Sequence, residues 1–161
     1  MNSQFRLRRM GFLAALAVLS ALPAAIAHHS FSIYNTEVTK VYTGVVVRVN
    51  PDANHLQIFF APMNADRKNV ERGPDGKPIV WAVEMAGSAQ AAAQGITVNS
   101  FPPRTVFSVG MHPLRSGEPA GSREGNLFKC PENTPPAPGK HCDSVEGSTK
   151  HGDGPLATPK P

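Results

Sequence analysis

Lys40-Val41-Tyr42-Thr43-Gly44-Val45-Val46-Val47-Arg48-Val49-Asn50 is the stretch on which the reading of the fold turns. Val41, Thr43, Val45, Val47 and Val49 alternate with Tyr42, Gly44, Arg48 and Asn50, the period of a half-buried strand with Tyr42 and Arg48 outward. Val46 interrupts the alternation, and Gly44 marks a bulge or bend. Asn50-Pro51-Asp52 is a turn signal that ends the run.

The same period continues downstream. Leu56, Ile58 and Phe60 form the inner face of a second strand, with His55, Gln57 and Phe59 on the other. Ile79, Trp81, Val83 and Met85 form the inner face of a third. Ser88 to Gln94 is rich in alanine and glutamine and favours a short helix, which Gly95 stops. Phe101-Pro102-Pro103 is a rigid connector to a fourth strand through Thr105, Phe107, Val109 and Met111. Leu127 to Cys130 and Asp143 to Glu146 supply an interrupted fifth. Three strands, one helix and two strands is the element order of the OB barrel. The expected fold is mainly β, a small five-stranded OB-like barrel with one short helix between strands 3 and 4, and an open sandwich is the alternative. The polar stretch Pro62 to Pro78, with the turn Pro74-Asp75-Gly76, is a long hairpin arm, functional or mobile.

Outward from this domain, residues 1–27 read as a secretory signal. Arg6, Arg8 and Arg9 precede an apolar run from Gly11 to Leu22, Pro23 breaks it, and Ala25 and Ala27 occupy the small-residue positions of a cut. That run is shorter than the roughly 20 residues a membrane span needs. The expected organisation is a signal peptide at 1–27, a lead segment at 28–39, the barrel at 40–146 and a loose tail at 147–161. The tail is rich in glycine and proline, with too few apolar residues to offset its ordering entropy. Periplasmic or secreted localisation follows, with no stable membrane insertion after signal cleavage.

The whole chain has 16 basic and 12 acidic residues. The signal holds three of the basic ones and no acid, which leaves 13 against 12. So balanced a domain gives no electrostatic footprint for nucleic acid. Its outward aromatic and basic candidates, Tyr42, Phe59 and Arg48, are too few for a stacking platform.

Two cysteines in an exported chain pair more often than not, so Cys130 and Cys142 are expected to form a disulfide around a proline-rich loop. The alternative is a metal set of the two thiolates with His141. A cut after Ala27 would leave His28 at the new amino terminus, with His29 beside it. The α-amine and the ring Nδ1 of such a histidine chelate a metal, and nitrogen ligands in a planar array favour Cu(II). His29, His55 and His112 are the candidates for a further imidazole. The plain alternative is a solvated terminus, a turn histidine and a strand-end histidine.

His28-His29-Ser30-Phe31, Asn50-Pro51, Trp81-Ala82-Val83-Glu84-Met85 and Gly110-Met111-His112-Pro113-Leu114-Arg115-Ser116-Gly117 occur in that order. Together they resemble a family of small exported bacterial proteins of unknown function. The resemblance covers roughly Ala27 to Phe128. It implies export and a compact β domain, and it brings no activity. In that family Asn-Pro runs directly into His, whereas here Asp52, Ala53 and Asn54 precede His55.

No nucleophile elbow, P-loop, dinucleotide fingerprint or His-Glu-x-x-His is present, and Glu84 reads as a strand residue facing water. The balance is against an enzyme. The expected function is a non-catalytic envelope module that binds a small ligand or an envelope protein. The alternative is a copper-binding or copper-handling protein using His28, and copper is the one cofactor in view.

Overall fold

The computed structural model describes residues 31–161 except Ala53. Six strands follow one another as β1 (Lys40–Asn50), β2 (Gln57–Pro62), β3 (Trp81–Glu84), β4 (Val106–Pro113), β5 (Ala120–Lys129) and β6 (Thr149–Leu156), with the helix α1 (Ser88–Ala93) between β3 and β4. The sheet order is β3-β2-β1-β4-β5-β6. β3 also pairs in parallel with β5, Val83 opposite Gly121 and Glu84 opposite Ser122. That pairing closes five strands into the expected OB-like barrel, β3 covering residues 120–122 of the β5 edge opposite β4. Among the described residues no helix is long and apolar enough to cross a membrane.

The inner faces of β2, β3 and β4 follow the alternation. Ile58, Phe60, Val83, Phe107, Val109 and Met111 have no accessible surface. Phe107 packs edge-on against Phe60 and Phe101, with ring centroids 5.3 and 5.9 Å apart. Each such pair contributes about 0.5–1.5 kcal/mol beyond the area it buries. α1 seats Ala91 in the same core, together with Ile96 and Phe101. Gly95 stops it at φ +75°, a conformation that costs glycine least.

β1 departs from the expected phase. Val46 lies in the core and Tyr42 packs against it, whereas Val47 is 44 % exposed. The register shifts between Val46 and Arg48, so Val47 is a bulged residue. Before the bulge, Tyr42, Gly44 and Val46 face inward, and after it Val49 does. Three consecutive valines allow either phase, and packing selects between them. Tyr42 therefore leaves the outer face and stacks on Trp81 at 4.9 Å.

Two further differences lie downstream. β5 runs unbroken through Gly121 and Ser122, and Asp143 belongs to a 3-10 turn at Cys142–Ser144, not to a strand. Residues 147–161, expected to be loose, contain β6, which pairs with the far edge of β5 from Gly125↔Leu156 to Lys129↔Thr149. Lys160 then bridges Thr39. Backbone pairing and buried Asn126, whose Nδ2–H donates to Gly154 O, supply what the apolar pattern lacks.

The disulfide Cys130–Cys142 is formed, which excludes a thiolate metal set with His141. The arm over 62–78 is folded by the bridges Met63↔Val70 and Arg72↔Pro78. Arg67, at φ 59°, sends its Nη1–H to Met63 O and Asn64 O and its Nε–H to Lys140 O. The arm is thus tied to the disulfide loop.

Candidate functional site

Strand parity puts a small polar grid on the outside of the barrel. Arg48, Phe59 and Ala82 lie across β1, β2 and β3 on one rung, and Asn50, Gln57 and Glu84 on the next. Val49, Ile58 and Val83, which alternate with them, point into the core. With strands about 4.8 Å apart and about 6.6 Å between same-face residues, the grid measures roughly 10 by 7 Å.

The second rung is a chain of side-chain hydrogen bonds. Asn50 Nδ2–H donates to Gln57 Oε1 at 3.3 Å, and Gln57 Nε2–H donates to Glu84 Oε2 at 3.3 Å. His55, in the β1–β2 turn, brings Nδ1 to 3.3 Å from Glu84 Oε1. Asp52 Oδ1 shapes that turn by accepting the backbone N–H groups of Asn54 and His55, and these bonds hold its carboxyl below the usual range. Tyr34 completes the group. Its pKa is pushed up to about 12, first by burial, then by the charge of Glu84 and a side-chain hydrogen bond to it. Tyr34 reaches this place because its backbone bridges Leu114 and Asn35 N–H donates to Pro113 O. Glu84 keeps a quarter of its side chain exposed, so a carboxylate supported by three neighbours still faces solvent.

On the first rung the Arg48 guanidinium sits 3.5 Å from the centre of the Phe59 ring. Among the described residues it has no carboxylate partner. A guanidinium stacked on an aromatic face is held in orientation by it. Ala82 lies opposite Phe59 on the next strand.

The histidines singled out as ligands fall in three places. His28 and His29 lie outside the described residues. His55 joins Glu84. His112 is held elsewhere on the barrel: its Nδ1 faces Val38 O at 2.8 Å and its Nε2 faces Glu124 Oε2 at 3.1 Å. Among the described residues no three histidines, cysteines or acids come together as a metal group.

Tyr34, Asn50 and Gln57 were not singled out by the sequence. Outward parity on neighbouring strands was a usable signal for Gln57 and Glu84. Their alignment needs the β2–β3 register, which the 62–78 arm hides.

Residues 15–123 match a family described only as being of unknown function (DUF6152). No curated protein and no solved structure matches the chain.

Proposed function

Because the chain belongs to the family of unknown function DUF6152, no activity comes to it from relatives, and we propose from its own residues that it is a non-catalytic ligand-binding module of the cell envelope. The observation that carries this reading is the outer grid: Arg48 on Phe59, without a carboxylate partner among the described residues, beside the linked row Asn50–Gln57–Glu84. Its chemistry suits a small polar ligand with one acidic group for Arg48 and neighbouring hydroxyls for the amides and Glu84, as in an acidic sugar. OB barrels use the face around strands 2 and 3 for oligosaccharides, a likeness of fold alone.

Calorimetric titration with galacturonate and galactose oligosaccharides tests it. The expected result is binding of the acidic series, lost in Arg48→Ala and weakened in Glu84→Gln. Failure of both series to bind, or binding that neither variant changes, overturns the proposal. The envelope part rests on residues 1–27. Intact mass of protein from the periplasmic fraction should begin at His28, and a species retaining Met1 would sink it.

Copper handling through His28 and His29 is a second proposal, resting on the residues around the cut. Protein beginning at His28 should bind Cu(II) more tightly than protein with one residue added before it. The addition keeps every imidazole but moves the free amine away from the His28 ring. Equal affinities would dismiss this reading.

A further inference from the structure

The outer side of β1 and β4, away from the grid, carries a buried chain of polar groups with one consistent direction. Ser108 has no accessible surface and Thr43 is 1 % exposed. The backbone N–H of Cys142 can only donate, and it donates to Ser108 Oγ at 2.8 Å. Ser108 Oγ lies 2.7 Å from Thr43 Oγ1, which lies 2.8 Å from His141 Nδ1. With one hydrogen on each hydroxyl, every proton is used if Ser108 donates to Thr43 and Thr43 donates to His141 Nδ1. His141 must then be neutral, with its own proton on Nε2.

Protonation at Nδ1 reverses that logic. The ring becomes a donor to Thr43, Thr43 turns its proton to Ser108, and Ser108 receives two donors. Its own proton then has no acceptor among these four groups, in a place without accessible surface. An unsatisfied buried hydroxyl is costly, so the charged ring and the closed chain exclude one another.

We propose that the chain Cys142–Ser108–Thr43–His141 is a proton-operated latch, holding residues 131–141 on the barrel while His141 is neutral and releasing them when it is charged. The covalent anchor stays in place through the Cys130–Cys142 disulfide, so the motion starts in the loop between the two cysteines. The loop in turn carries the arm: Gly139 N–H donates to Ala65 O, and Arg67 Nε–H donates to Lys140 O. Opening the latch thus frees the β2–β3 connection, the segment that leads from one strand of the grid to the next. The charged groups facing His141 are Arg67 from the arm and Asp143 from its own segment. Burial and then Arg67 hold its pKa below the usual histidine value, against Asp143, so the latch is closed at neutral pH. This inference is independent of what the grid binds.

Amide hydrogen exchange on the oxidised protein at pH 8 and pH 5, corrected for intrinsic rates, tests the latch. Protection of the Gly139 and Cys142 amides should fall at least tenfold (roughly 1.4 kcal/mol) at the lower pH, while Val109 in the core stays protected. In His141→Asn, which keeps an acceptor near the Nδ1 position but does not titrate, the two amides should show no such change. If that variant does not fold, the nitrogen-15 signals of His141 in the unaltered protein decide. At pH 8 they should report the tautomer protonated on Nε2. A proton on Nδ1 at pH 8, or protection of Gly139 and Cys142 that does not respond to pH, overturns the latch.

Discussion

Gly44 and the Phe60 ring share one space in the barrel interior: an atom at the β-position of Gly44 would sit 2.5 Å from Phe60 Cδ2 and 2.9 Å from Ala61 O. The ring closes the core only because the strand beside it has no side chain there. Gly44→Ala must push Phe60 out of its edge contact with Phe107 or bend β1. The expected loss is about 1–3 kcal/mol, the range for overpacking. Urea unfolding measures it, and a midpoint equal to that of the unaltered protein would contradict this packing.

Tyr34 and Glu84 give a spectroscopic prediction. The chain has two tyrosines, and both pKa values are pushed up to about 12, that of Tyr42 by burial and then Glu71. Glu84→Gln removes one charge and leaves burial untouched. One tyrosine should move part of the way back toward 10 in an ultraviolet titration while the other stays. No movement would place Glu84 away from Tyr34, and movement of both would mean that Glu84 acts on Tyr42 as well, against this arrangement.

Reduction of Cys130–Cys142 reopens a loop of sequence separation 12. In the chain-entropy model such a closure stabilises by about 3 kcal/mol, and the prolines inside it lower that figure. Urea unfolding with and without reductant should show the oxidised form more stable by roughly 2–3 kcal/mol. Equal midpoints would mean that the prolines alone confine the loop.

Histidine burial sets a pH dependence of stability. His151 packs against the edge of Phe101, and its pKa is lowered, chiefly by burial. His141 is lowered in the same direction. The unfolded chain, near the ordinary value of about 6.5, then binds protons more readily than the folded one. The stability from the neutral rings is complete above that value and is lost as pH falls through the folded pKa values. The urea midpoint should therefore drop between pH 7 and pH 5. His141→Asn combined with His151→Asn should flatten that part of the profile, and an unchanged slope would assign it to other groups.

Much of this protein is decided locally. Alternation alone places Ile58, Phe60, Val83, Phe107, Val109 and Met111 inside, because a strand has two faces and only one can be dry. A run of alanines ended by Gly95 is a helix with its stop. Two cysteines around one short loop form one bridge. The order of strands around a single helix pointed to the barrel, and the pairing of β3 with β5 decided between it and an open sandwich.

What the sequence left open are the features that depend on register. Val45-Val46-Val47 reads equally well in either phase, and the bulge at Val47 is chosen by the space that Phe60 leaves. β6 has no apolar alternation to read, since its partners are the backbone of β5 and the amide of Asn126. Glu84 reads as a residue facing water until Tyr34, His55 and Gln57 are brought around it from separate parts of the chain. Thr43 meets His141 across 98 residues. Period and composition act over a few residues, whereas hydrogen-bonded polar clusters are satisfied only by whichever groups the closed barrel sets side by side.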